Sequence, residues 1–111
     1  MSWGLYIEVP QPEVDNDWFR HVVSSHSTNL TPMWRKAVPF LEVTRDFNGL
    51  EARHVLPDLL VGFADIMANM DAYKALNPVN GWGDFDGFYT VYTTLMKMCA
   101  EYPGGILRWN G

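Results

Sequence analysis

The chain has 111 residues with 48% hydrophobic and 14% aromatic content, enough apolar material for one core and too little length for two, so residues 1–111 are read as a single compact domain. Its formal net charge of −5 and a pI near 4.9 exclude the clustered basic surface that nucleic-acid binding needs; Arg35 and Lys36 form the one basic pair. A single cysteine, Cys99, excludes an internal disulfide and a multi-cysteine zinc site.

Trp3 to Val9 is aromatic and β-branched, is bounded by prolines, and reads as a first strand with Leu5, Ile7 and Val9 on one face and Tyr6 and Glu8 on the other. The residues to Asp17 read as a surface loop. Trp18, Phe19, Val22 and Val23 fit a helical turn or a short strand equally well. Ser24 to Thr31 is a polar run, and Thr31 before Pro32 is a helix-start signal, with the hydroxyl as cap and Pro at the first helical position. A short helix is expected over Pro32 to Val38, stopped by Pro39, and Asn48-Gly49 marks a turn.

The strongest helical periodicity runs from Leu50 to Met70, where Ala52, Val55, Leu56, Leu59, Leu60, Phe63, Ile66, Met67 and Met70 trace one broad apolar face. Pro57 must kink this helix or lie in its first turn. Asp71 can cap a further turn, Ala72 to Leu76, ended by Pro78. A second long helix is expected from Phe85 to Glu101, capped by Asp84, with Phe88, Val91, Tyr92, Leu95, Met98, Cys99 and Tyr102 on its stripe. Pro103, Gly104 and Gly105 then turn the chain into a closing strand, Ile106 to Trp109. The expected fold is α+β, a small antiparallel sheet of the terminal strands packed against two long helices and short helices.

Nothing in this pattern names a reaction. Three histidines lack the spacing that sets two imidazoles on one helical face, so no metal or other cofactor is expected. Cys99 lies on an apolar stripe, where thiols pack as small hydrophobes. Asp84 and Asp86, two apart at a helix start, point away from each other and do not make an acid–base pair. No catalytic residue is assigned, and a small hydrolase is the least supported reading.

Two segments are candidates for ligand binding. Asn77 to Phe85 gathers two glycines, two amides, a carboxylate and two aromatics at a helix N-terminus, which suits a small polar or anionic ligand with a flat ring. The Ser25 to Trp34 segment brings hydroxyl, amide and imidazole groups to a second helix start. Asn29, Thr31, Trp34, Asn77, Asn80, Trp82 and Asp84 are the candidate ligand-binding residues. Each segment reads more readily as structure: a turn at Asn80-Gly81, a Trp82 anchor, and capping by Asp84 and Thr31.

The runs His26 to Trp34 and Asn77 to Phe85 together resemble a family of small uncharacterised bacteriophage-encoded proteins with an Asn-Gly-Trp-Gly-aromatic loop, here Asn80, Gly81, Trp82, Gly83 and, one residue later, Phe85. The resemblance extends over residues 5 to 109, with Ser25 standing where such relatives often carry an asparagine. It implies a phage or prophage accessory protein that binds a host factor or a small host signal molecule through these loops, in the host cytoplasm. That location accords with the lack of a leader sequence and of any apolar run near the roughly 20 residues of a membrane span. The alternative is a protein-interaction module using exposed tryptophans among Trp3, Trp18, Trp34 and Trp109.

Overall fold

The computed structural model describes residues 2–10, 18–27, 30–39, 46–78 and 84–110. Among these residues three strands, β1 (Ser2–Pro10), β2 (Trp18–Ser27) and β3 (Ile106–Asn110), form an antiparallel sheet in the order β2-β1-β3. The first and last strands pair as the sequence pattern predicts, and β1 is the central strand because the open segment after it resolves into a strand. Pairing passes from Leu5↔Ser24 to Tyr6↔Val22, which leaves Val23 as a bulge. The strand also runs on through Ser24 to Ser27, residues expected to form a loop. Backbone pairing to β1 overrides their low strand propensity.

Leu5, Ile7 and Leu107 point into the core, while Tyr6, Glu8 and Arg108 lie on the other face. There the Arg108 Nε donates to Glu8 Oε1 at 3.0 Å, a diagonal cross-strand ion pair. The second edge of β3 is covered by the chain before the long helix. Gly49 donates its N–H to the Leu107 carbonyl, and Leu107 returns one to the Leu50 carbonyl, each at 2.8 Å. Gly49 turns the chain with a φ of 102°, a conformation that a side chain disfavours.

Among the described residues four helices follow the hairpin and precede β3: α1 (Thr31–Ala37), α2 (Ala52–Ala68), α3 (Met70–Lys74) and α4 (Phe85–Glu101). Thr31 is not the N-cap of α1; Leu30 holds that position without a side-chain cap, and Thr31 is the buried first helical residue. The α2 N-terminus likewise has no side-chain cap. Its free amides at Ala52 and Arg53 instead donate to the carbonyls of Gly105 and Pro103 at 2.8 and 3.0 Å, so the turn that launches β3 also caps α2. Pro57 lies inside α2, beyond its first turn. Pro57 and Arg53 are both exposed, so the Arg53 carbonyl that lacks its i+4 donor lies on the solvent side. The chain breaks helix at Asn69, and α3 starts at Met70, ahead of Asp71, which is a residue of its first turn and not its cap.

α4 occupies the expected residues, and its stripe of Phe88, Val91, Tyr92, Leu95 and Cys99 is buried. The centre of the core is aromatic. Trp34, 0% exposed, meets Phe47 and Phe88 edge-on with centroids at 5.9 and 5.2 Å, and Tyr92 at 5.2 Å. Tyr92 also donates its hydroxyl to the Leu59 carbonyl of α2 at 2.6 Å, which ties the two long helices together inside the core.

Candidate functional site

Asn77 and Asp84, the predicted loop residues that the structure describes, are brought together at the start of α4. Asp84 is its N-cap, with Oδ1 accepting the Gly87 N–H at 2.8 Å. Asn77 Oδ1 accepts the Phe85 N–H at 2.9 Å. Two of the four free amides of the helix start are therefore occupied by these side chains. They line a pocket of about 200 Å³ with Lys74, Phe85 and Asp86. Its two carboxylates outnumber the one ammonium, Lys74, and so oppose the anionic ligand that a helix N-terminus would otherwise favour. Asp84→Ala should cost about 1 kcal/mol in urea denaturation, as loss of a helix cap does.

Thr31 and Trp34 do not line that pocket. Trp34 is core, and its burial among Phe47, Phe88 and Tyr92 removes it both from a ligand site and from the exposed tryptophans. Asn29, Asn80 and Trp82 lie outside the described residues, as do the side chains of Trp3 and Trp18; Trp109 is half-buried.

A larger feature lies where the C-terminal end of α1 meets α2. A pocket of about 480 Å³ is walled by Ala37, Val38, Pro39 and Val61 and bears the charges of Lys36, Asp58 and Asp65. Asp58 and Asp65 are seven residues apart on α2, which sets them on one flank roughly 10 Å from each other along the axis. Asp65 accepts the Tyr73 hydroxyl on Oδ2 and the Asn69 Nδ2 at 2.9 Å on Oδ1. Lys36 Nζ sits over the Tyr73 ring, 5.2 Å from its centroid. Among the described residues neither aspartate has an ion-pair partner.

Next to this pocket, α2 turns an apolar face to solvent. Leu60, Val61 and Met67 are 54%, 73% and 47% exposed, although Leu60 and Met67 belong to the face that the periodicity assigns to the core. With Pro57, Ala64 and Ala68, all exposed, they form a continuous stripe at steps of three and four. The buried face is Ala52, Val55, Leu59, Gly62 and Ile66. The helix therefore has an inward and an outward apolar face, and among the described residues nothing covers the outward one.

Burial holds the buried titratable groups in their neutral forms. Burial, then the Asp65 hydrogen bond and charge, push the Tyr73 phenol well above the usual tyrosine range. Burial, then the charges of Asp58 and Asp65, raise Tyr92 in the same way. Burial pushes the Cys99 thiol up to about 12. These raised values help stability fully below the unfolded values of 9.0 for cysteine and 10.0 for tyrosine, and the help is lost as pH rises toward the folded values. Stability to urea should therefore fall from about pH 9 upward, each group contributing about 1.4 kcal/mol per pH unit once its unfolded form ionises. Tyr92→Phe should make that alkaline fall shallower.

Among the described residues no three acidic, histidine or cysteine side chains gather as a metal site, and no helix is long and apolar enough to cross a membrane. No protein-family model, curated protein or solved structure matches the chain.

Proposed function

We propose that this chain is a binding protein that engages a protein partner through the outward face of α2. The observation that carries the reading is the exposure of Leu60, Val61 and Met67 on one unbroken stripe. Soluble domains seldom leave contiguous large apolar side chains in water unless another surface covers them. Fully burying one such side chain contributes about 1.5–3 kcal/mol, so covering three that are about half exposed supplies on the order of 3 kcal/mol. A micromolar complex needs about 8 kcal/mol, so polar contacts at the edge of the stripe must add to it.

The resemblance to phage-encoded proteins sets this reading in a host cytoplasm, as an accessory protein acting on a host factor. The α2 face favours a protein partner over a small signal molecule, because Asn77 and Asp84 are already bonded to the start of α4. It also moves the interaction surface away from the tryptophans.

The test is site-specific photocrosslinking in the cell that makes the protein, with benzoylphenylalanine at Ala64 on the stripe or at Lys97, exposed on α4. The Ala64 probe should give one dominant protein adduct that Val61→Asp abolishes. Equal labelling from both positions, or an adduct indifferent to Val61→Asp, would overturn the reading.

A further inference from the structure

The α2 stripe is asymmetric. From Pro57 to Ala68 it is 12 residues long, roughly 18 Å of helix, and it carries small side chains at Ala64 and Ala68 where another backbone can approach closely. One edge bears Asp58 and Asp65; the opposite edge bears Leu56 and Phe63, which carry no charge. The 480 Å³ pocket lies on the acidic edge and is lined by Val38, Pro39 and Val61 together with the two carboxylates. Such walls suit the long methylene stem of a lysine or arginine, and the carboxylates suit its cationic head. The Lys36 ammonium over the Tyr73 ring offsets one of these two charges and leaves the edge acidic.

A second copy of the chain does not complement this edge. A two-fold axis that lays α2 antiparallel on another α2 returns each edge to its own side, so Asp58 and Asp65 of both copies would share one seam. A two-fold along the helices sets the carboxylates against Leu56 and Phe63. The cation that α2 itself carries, Arg53, is paired with Glu51, so neither arrangement gives the carboxylates a free cation from α2.

Resting on the reading of α2 as the docking face, we infer that its partner is an amphipathic helix that lays an apolar stripe on Leu60, Val61 and Met67. Its flank carries lysine or arginine, one side chain entering the pocket between Asp58 and Asp65. The recognition is helix on helix, with charge selecting the partner and its direction.

Three synthetic helical peptides of about 16 residues test this, identical at their apolar positions and bearing Lys, Gln or Glu along one flank. Fluorescence anisotropy against the full chain should show the Lys peptide binding roughly tenfold tighter than the Gln peptide, an advantage lost in about 0.5 M salt. Asp58 is exposed, so Asp58→Lys should leave the circular dichroism unchanged and transfer the preference to the Glu peptide. Equal binding of all three peptides, abolished by Val61→Asp, would overturn the basic-flank inference and leave the docking face standing. Binding by none of them would overturn the inference, and the crosslinking at Ala64 then decides the docking face separately. Sedimentation of the free protein as a dimer that Leu60→Glu dissolves would overturn it in favour of a second copy.

Discussion

Trp34→Ala should remove about 3–5 kcal/mol of stability, the cost of truncating a large buried aromatic, and so bring a domain of ordinary stability close to unfolding at 25 °C. The site cannot collapse easily. Trp34 meets Phe47, Phe88 and Tyr92 on three sides, and these come from the turn before α2 and from α4. A void there loosens the packing of α1 on both. Urea denaturation followed by far-ultraviolet circular dichroism is the measurement, since the mutation itself removes a fluorophore. A loss below about 1 kcal/mol would mean that Trp34 is not the centre of the core.

Gly62→Ala should destabilise by about 2 kcal/mol even though alanine is the better helix former by about 1 kcal/mol. A Cβ at position 62 would overlap the Tyr92 hydroxyl and sit 2.5 Å from the Ala37 carbonyl oxygen. α1 and α2 approach each other through this missing side chain, and the added methyl must separate them or break the bond from Tyr92 to the Leu59 carbonyl. Two comparisons isolate the cause. On the outward face of the same helix, Ala64→Gly should cost about 1 kcal/mol from propensity alone, so glycine is favoured at one position and alanine at the other. Tyr92→Phe removes the hydroxyl that the new methyl strikes, so in a double-mutant cycle the pair should cost less than the sum of the single changes. Additive costs would place the clash elsewhere.

Periodicity alone located α4 from Phe85 to Glu101 and its buried stripe, and the Asp84 cap was legible because a carboxylate before an apolar helical pattern has one common local use. The pairing of the terminal strands was equally legible from their alternation. β2 was not, because Ser24 to Ser27 carry no strand signal of their own and are held by ladder bonds to β1. The caps of α1 and α2 escaped for a related reason: α2 borrows carbonyls from Pro103 and Gly105, about fifty residues away in the chain.

The candidate site shows the same division. The amino-acid order settled that α2 carries a broad apolar face, since composition and helical spacing depend only on neighbours in the chain. Which side meets water depends on where α1 and α4 pack, and only the tertiary structure decided that Gly62 and Leu59 face inward while Leu60, Val61 and Met67 face out. Hydrophobic periodicity marks what a helix can bury; the surfaces that actually reach it, limited here by the close approach at Gly62, determine what it does bury.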